Sequence, residues 1–355
     1  MSKELTFKIG NTPVGGGNPV FIIAEMSGNH GGSLEGALDV IRSAKEMNAS
    51  AVKLQTYTAD SITLNSDNPD FQIPSTNPWS NHNTLYELYS KAYTPWEWHA
   101  PLFQEARKLG IEIFSSPFDE SAVELLESLN APAYKIASPE ITHIPLIERV
   151  ASTGKPIIIS TGAAELADIE LAVATVRACG NEKIVLLKCT ASYPAPPESI
   201  DLRTIPHMAE SFRCLAGLSD HTLGIGVPVA SVALGAAMIE KHYIVSKETL
   251  SVDGFFSLDE AAFIQMIEEV RKVEKALGKV SYELDAEGKK NLWGRRSLYV
   301  SKEIDKGAAI SADNIKCVRP AHGLHPKHWK AILGKKVKRD LSMGDRLRLE
   351  DIEGV

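Results

Sequence analysis

Gly217-Leu218-Ser219-Asp220-His221 and Met238-Ile239-Glu240-Lys241-His242 are two short apolar runs that end abruptly in polar, chemically capable residues. Between them, residues 227–237 carry the small side chains of a closely packed helix, so the three pieces read as one strand–helix–strand unit. In parallel α/β folds ligands bind outside the carboxyl ends of the strands. One histidine therefore sits just past each of two consecutive strand ends, where the pair could share a metal or a substrate.

The same rhythm extends to the N-terminal side. Residues 20–24 form an apolar run that stops at Glu25 and is followed by the loop Ser27-Gly28-Asn29-His30-Gly31-Gly32. Ser33 is a candidate N-cap for a helix with Leu34, Ala37, Leu38 and Ile41 on one face. In the next strand, 51–55, Lys53 and Gln55 lie two apart and so share a face. Further strands are predicted over 111–116, 133–138, 156–161 and 184–190, with helices over 119–129, 144–152, 165–179, 205–211 and 258–277. Eight strand segments, most followed by a helix, favour a closed (β/α)8 TIM barrel over an open doubly wound sheet.

Between 56 and 94 the pattern breaks into Asn, Ser, Asp, Thr and Pro, with a hint of helix over 85–89. An excursion this long inside a compact domain is usually functional, and it reads as a lid over the strand ends. Thr94-Pro95 then opens a helix that runs to Leu109 and closes at Gly110.

The chain has 355 residues, 44% hydrophobic and 23% charged, with a net charge of -7. That balance gives no reason to expect nucleic-acid or anionic-membrane binding, so an anionic ligand needs a local cationic cluster. Cys179, Cys189, Cys214 and Cys317 form no C-x-x-C pair, which fits a reduced, cytoplasmic compartment. The run 20–24 is far too short for a signal core or a membrane span. The expected layout is a barrel domain over 1–278, a charged linker over 279–295 and a small β-rich domain over 296–355. In that last part Gly307, Gly323, Gly334 and Gly344 punctuate turns. At about sixty residues it is near the lower limit for independent stability and should dock on something.

At one barrel rim the strand ends would gather Glu25, Asn29, His30, Lys53, Gln55, Ser115, Ser116, Lys135, Ser138 and Glu140. Continuing round, they add Ser160, Thr161, Lys188, Thr190, Ser192, Tyr193, Ser219, Asp220, His221, Glu240 and His242. Lys53, Lys135 and Lys188 sit in otherwise apolar strands, and a buried ammonium needs an anion or a carboxylate beside it. A single such lysine is as well explained by an internal partner, with Glu25, Glu140 and Glu240 available. Three at one rim, among serine and threonine hydroxyls, favour a phosphorylated or carboxylated small molecule. His221 and His242 would singly be hydrogen-bonded structural residues; as a pair they are also candidate metal ligands. His30, His82, His99, His143 and His207 read as loop or surface residues, and Trp96 and Trp98 as packing at a helix start. The cysteines read as core or surface thiols.

These residues carry a resemblance. Phe21-Ile-Ile-Ala-Glu25 with Asn29-His30-Gly31-Gly32, Val52-Lys-Leu-Gln55, Ser116-Pro-Phe118 and Ala133-Tyr-Lys-Ile-Ala-Ser138 resemble the nonulosonic (sialic) acid synthases. So do Ser160-Thr-Gly162 and both opening stretches. Leu85-Tyr-Glu-Leu-Tyr89, Thr94-Pro-x-Glu-Trp98, Arg296-Ser-Leu-Tyr299 and Gly323-Leu-His-Pro326 are similar to the family's pseudaminic acid synthase branch.

The resemblance implies a TIM barrel followed by an antifreeze-like (SAF) domain in a domain-swapped homodimer, with the small domain covering the partner's barrel mouth. It implies condensation of phosphoenolpyruvate with an acetamido sugar, for this branch 2,4-diacetamido-2,4,6-trideoxy-altrose, to give pseudaminic acid and phosphate. A divalent cation, Mn²⁺ or Mg²⁺, would be held by His221 and His242, and Glu25 would manage the water proton. Lys53, Lys135, Ser116, Ser138, Ser160 and Ser219 would hold phosphoenolpyruvate. Gln55, Glu140, Tyr193, Asp253 and Arg319, the last from the partner, would orient the sugar. Ala191, Lys188 and the pair Arg295-Arg296 depart from sialic acid synthase patterns, all expected to bear on the sugar pocket. N-acetylneuraminic and legionaminic acid synthesis are the near alternatives. A Schiff-base aldolase using Lys135 and a non-enzymatic ice- or glycan-binding protein are the remote ones.

Overall fold

Strands apolar at every position can be buried on both faces, as a barrel interior under a shell of helices requires. The computed structural model describes residues 5–354. A hairpin of β1 (Thr6–Ile9) and β2 (Thr12–Gly15) leads into β3 (Phe21–Glu25), α1 (Leu34–Glu46) and β4 (Ala51–Thr56). The excursion that follows carries α2 (Ala59–Ile62) and α3 (Leu85–Ala92), and then α4 (Trp96–Leu109) begins. The alternation continues with β5 (Glu112–Pro117), α5 (Glu120–Ser128), β6 (Tyr134–Ile136), α6 (Ile144–Ala151), β7 (Ile157–Ser160) and α7 (Leu166–Ala178). It ends with β8 (Ile184–Lys188), α8 (Thr204–Phe212), β9 (Leu215–Asp220), α9 (Gly226–Ala233), β10 (Met238–His242) and α10 (Glu260–Leu277).

The local chemistry accounts for these boundaries. Ser33 caps α1 by accepting from the Gly36 N–H, and Asp119 caps α5 by accepting from the Ala122 N–H. α4 stops at Gly110, whose φ of 68° is the left-handed cap a glycine adopts without strain. α10 buries Phe263, Met266, Ile267 and Val270, spaced three, one and three apart along one face. Fully burying one such side chain contributes about 1.5–3 kcal/mol.

The strands β3 to β10 close in sequence order into a parallel barrel, with β10 bonded to both β9 and β3. The expected barrel and its closure are borne out. One core fills the interior through Phe21, Ile23, Ala51, Phe114, Val185, Leu187 and Met238, and Ile9 and Val14 of the hairpin join it from the N-terminal end. A second core lies between the strands and the surrounding helices. Gly217, an inward position of β9, is obligatory by crowding: a Cβ there would lie 2.2 Å from the Met238 carbonyl oxygen.

Contacts divide the chain after Gly278 into two units. In the second, the charged stretch carries a short helix, α11 (Ala286–Lys290), and then β11 (Ser297–Val300) pairs antiparallel with β12 (Ile315–Val318). Isolated bridges and α12 (Trp329–Ile332) complete it. Its own core is Leu298, Val300, Ile304, Ile310, Ile315, Ile332, Val337, Leu341, Leu347 and Ile352. Among the described residues no helix is long and apolar enough to cross a membrane.

Candidate active site

Side chains along a strand alternate between its faces. Phe21 and Ile23 point into the barrel, so Glu25 does too. Ala51 is followed inward by Lys53 and Gln55, Ala133 by Lys135, and Leu187 by Cys189. Met238 is followed by Glu240 and His242. The interior therefore changes from apolar at the plugged end to ionised at the carboxyl ends of the strands, the end where barrel ligands bind.

Two cations and two anions meet there with almost no water. Lys53 Nζ lies 2.9 Å from Glu25 Oε2 and 3.8 Å from Glu240 Oε1, and donates to Ser116 Oγ at 3.1 Å. Lys135 Nζ lies 3.7 Å from the same Glu240 oxygen and otherwise reaches only the Ile136 carbonyl at 3.4 Å. Ser219 Oγ donates to Glu240 Oε1 at 3.2 Å, and Gln55 Nε2 to Glu25 Oε1 at 2.9 Å. The internal-carboxylate explanation thus holds for both lysines, while leaving Lys135 the less well served.

Burial would raise Glu240, but Lys135 and Lys53 outweigh it and hold its carboxyl below the usual range. Glu25 goes the other way: burial, with Glu240 as a neighbouring like charge, lifts its carboxyl to about 7 despite Lys53. Burial lowers the Lys135 ammonium, whereas Lys53, beside both glutamates, is raised in spite of burial. Ser160 Oγ and Glu240 Oε2 are buried with no partner, and Ser138 Oγ accepts from the Gly162 N–H at 3.0 Å, leaving its own proton unassigned. With Glu25 ionised the charges balance, and as Glu25 takes up a proton around pH 7 the cluster becomes cationic. The Ser160 and Ser138 hydroxyls remain as donors for an incoming anion.

The two imidazoles stand beside it, ring centroids 5.3 Å apart. A carbonyl only accepts, so the His221 Nδ1–H donates to Thr190 O at 3.0 Å, which makes Nε2 the nitrogen available to a ligand. Burial would lower this imidazole, but the contacts with Cys189 and the Thr190 carbonyl raise it. Burial, then the nearby His221, hold His242 well below its ordinary range and therefore neutral, and its Nδ1 is buried without a partner. The Asp253 carboxylate lies 4.0 Å from that nitrogen and accepts from Ser27 Oγ. Among the described residues no group of three or more His, Cys, Asp or Glu side chains is poised around one point. His242 is neutral, and His221, raised despite burial by its contacts with Cys189 and the Thr190 carbonyl, would give up a proton to serve as the second nitrogen donor of a divalent cation held between the two rings.

A cavity of about 470 Å³ opens over these groups, lined on one side by Gln55, Glu140, Tyr193, His242, Asp253 and Phe256. Tyr193 packs against His221 at 4.4 Å and Trp79 at 5.2 Å between ring centroids. Glu140 Oε2 is buried and unpartnered, and burial raises that carboxyl to about 7. Glu25, Lys53, Gln55, Ser116, Lys135, Ser138, Glu140, Ser160, Tyr193, Ser219, His221, His242 and Asp253 thus all gather at the carboxyl end of one barrel. Arg319 lies exposed in the other unit.

Several rim residues do not face this mouth, Lys188, Ser115 and Asp220 among them. Lys188 lies one residue past Leu187 and so points outward, away from the interior, which also removes it from the sugar pocket. Ser115 points outward too, bonding Thr56 Oγ1 at 2.6 Å. Asp220 faces out with Lys241, the two forming a buried ion pair that also engages Thr222. Ala191, another expected pocket position, is exposed and does not line the cavity. His82 and His99 are buried, not surface residues; His99 Nε2 meets Thr56 Oγ1 at 2.8 Å. Cys189, read as an ordinary thiol, sits in the site with Sγ 3.9 Å from His221 Nδ1. Burial opposes its ionisation, yet that contact brings the thiol down to about 7. Its inward phase, two after Leu187, was the available signal.

Residues 40–282 match the NeuB family and residues 295–353 the SAF domain. The chain is 46% identical to the pseudaminic acid synthase of Campylobacter jejuni over 94% of its own length and 97% of that protein's. It is likewise 46% identical to the pseudaminic acid synthase of Helicobacter pylori, covering 94% of this chain and 98% of that one. The crystal structure of N-acetylneuraminic acid synthetase from Leptospira borgpetersenii, in complex with citrate, matches with a TM-score of 0.72 and 30% identity, over 81% of this chain and 95% of that one. A parallel barrel with a charged, histidine-bearing mouth, followed by a SAF domain, makes the chain an enzyme of the NeuB family.

Proposed function

We propose that the protein condenses phosphoenolpyruvate with an acetamido sugar and water, releasing phosphate, and that the sugar is 2,4-diacetamido-2,4,6-trideoxy-altrose, giving pseudaminic acid. The observation that carries this is the buried cluster of Lys53, Lys135, Glu25 and Glu240 beside the paired imidazoles of His221 and His242. The likeness to pseudaminic acid synthases at 46% identity supports the choice of sugar.

In this reading Lys53 and Lys135, with Ser116, Ser138, Ser160 and Ser219, bind the carboxylate and phosphate by charge-assisted hydrogen bonds. His221 and His242 would hold Mn²⁺ or Mg²⁺, which when bound would supply Lewis acidity to the sugar's carbonyl group. Gln55, Glu140, Tyr193 and Asp253 orient the sugar so that its aldehyde carbon meets carbon 3 of the enol. As that bond forms, carbon 2 becomes electron-poor and water adds to it. Glu25 in its ionised form, held by Gln55 and Lys53, takes one proton of the water. The phosphate leaves with the electrons of its bond to carbon 2 as the hydroxyl left there loses its proton and becomes the ketone oxygen. The former aldehyde oxygen, which received the carbonyl electrons, is protonated to a hydroxyl. In a domain-swapped homodimer the partner subunit's Arg319 would meet an acetamido group.

The test is phosphate release with phosphoenolpyruvate and Mn²⁺ against a panel of acetamido sugars, with the product identified by mass. Phosphate release confined to a different acetamido sugar would move the enzyme to the N-acetylneuraminic or legionaminic branch, and none with any sugar would end the proposal. One observation favours a rival: burial lowers the Lys135 ammonium, as a Schiff-base nucleophile requires. Borohydride trapping of substrate on Lys135, without phosphate release, would establish that aldolase instead.

A further inference from the structure

The cavity over the cluster has two chemically distinct halves. Toward the strand ends it presents Gln55, Glu140, His242 and Asp253. Its other wall is mostly apolar, made by Ile62, Ile73, Leu85, Leu88 and Tyr89 from the excursion between β4 and α4, together with Phe118, with the Asn77 amide as the polar exception on that excursion.

That wall is built, not loose. Ile73 N–H donates to the Asn83 carbonyl at 3.0 Å, and Gln72 bridges to Thr84, which caps α3 through the Glu87 N–H. Tyr57 packs edge-on against Tyr89 at 5.7 Å and Phe118 at 5.1 Å. Trp96 Nε1–H donates to the Tyr57 carbonyl at 3.2 Å, and Trp79 Nε1–H to the Val252 carbonyl at 3.1 Å. The excursion is therefore pinned at both ends and along its length, so its apolar side chains hold their positions when a ligand arrives.

An apolar wall is an odd surface for an ordinary sugar, whose hydroxyls would lose water there and gain no partner. It suits a sugar whose ring substituents end in methyl groups. We infer that this wall is the specificity element of the sugar site. It receives the methyl-bearing edge of a deoxy, acylamino sugar and rejects the counterpart carrying a hydroxymethyl group. The inference rests on the proposed condensation and adds to it which side chains read the substituents.

The experiment compares two sugars differing only at carbon 6, the 2,4-diacetamido-2,4,6-trideoxy sugar and its 6-hydroxy analogue, with the full chain, phosphoenolpyruvate and Mn²⁺. For the unaltered protein kcat/KM should favour the deoxy sugar by on the order of a hundredfold, the limit of what an apolar pocket achieves against an added hydroxyl. Ile62→Thr and Ile73→Thr keep the branched shape at half-buried positions and place a hydroxyl on the wall. Each should narrow the preference about tenfold, while Ile73→Val preserves it. Calorimetric binding of both sugars with phosphoenolpyruvate present reads the same preference where turnover is absent. A preference below twofold in the unaltered protein, or one unmoved by either Thr variant, overturns the wall's role. Selective binding without phosphate release overturns the condensation and leaves the wall standing.

Discussion

Replacing Lys241 with Met removes one half of an ion pair that has almost no access to water, the side chains being 1% and 0% exposed. Asp220 would keep its other contacts: the Thr222 N–H donates to Oδ1 at 3.1 Å and Thr222 Oγ1 to Oδ2 at 3.0 Å. Breaking a buried pair by removing one partner costs about 3–5 kcal/mol. With two donors still on the carboxylate, Lys241→Met should fall at the low end, about 3 kcal/mol. Asp220→Asn leaves the ammonium facing the Thr222 carbonyl and an amide oxygen, and should cost at least as much. The double variant strands no charge, so it should be more stable than the sum of the singles by at least about 2 kcal/mol. Thermal and guanidinium unfolding read the effect. For a unit this size each kcal/mol moves the midpoint by about 2–4 °C, giving about 6–12 °C for Lys241→Met. Because His221 and His242 are the next residues on the same two strands, Mn²⁺ affinity should fall as well. A loss below 1 kcal/mol for Lys241→Met, or strict additivity of the two changes, would refute the claim that these charges depend on each other.

Glu25→Gln should still bind phosphoenolpyruvate, seen by calorimetry, while phosphate release is lost. Burial holds this carboxyl at about 7, so its base form grows as pH rises through 7 and kcat/KM should climb over that range. The same shift has a stability sign: the raised carboxyl favours the fold below the unfolded value of about 4.3, and that contribution is lost as pH rises through the folded value. A pH profile flat from 6 to 8 would remove Glu25 as the proton acceptor. His221→Ala and His242→Ala should each abolish measurable Mn²⁺ binding by electron paramagnetic resonance, and chelation should stop turnover until Mn²⁺ is restored; full Mn²⁺ binding in either variant would exclude the imidazole pair. Gly217→Ala puts a methyl 2.2 Å from the Met238 carbonyl and should cost more than 3 kcal/mol or prevent folding, judged by soluble yield and unfolding midpoint.

The barrel was legible because its signal is repeated: each strand is a short apolar run with a polar end, and a helix period follows. The phase of each strand was harder to read. Lys188 and Cys189 both stand at the end of β8, and only the inward positions of Val185 and Leu187 decide that the thiol enters the site and the lysine leaves it. Glu240 was visible in the same phase as His242, yet its role as the shared partner of Lys53 and Lys135 depends on three strands meeting across the interior. His99 could have been found from its helix, since Leu102, Phe103 and Ala106 lie on the same face of α4. The apolar wall of the cavity had no such trace. Ile62, Ile73 and Leu88 are separated by turns, and what unites them is the path by which the chain returns.

The packed interior of Phe21, Ile23, Phe114 and Leu187, joined by Ile9 and Val14 of the hairpin, makes the barrel a blind tube. Traffic has a single doorway, so whatever seats itself near Glu240, one inward step below His242, must arrive before anything resting on the histidines and cannot depart until that occupant has gone. On the proposed condensation this predicts a kinetic queue: the enol anion would bind first and the sugar second, and the small inorganic product would leave after the large one.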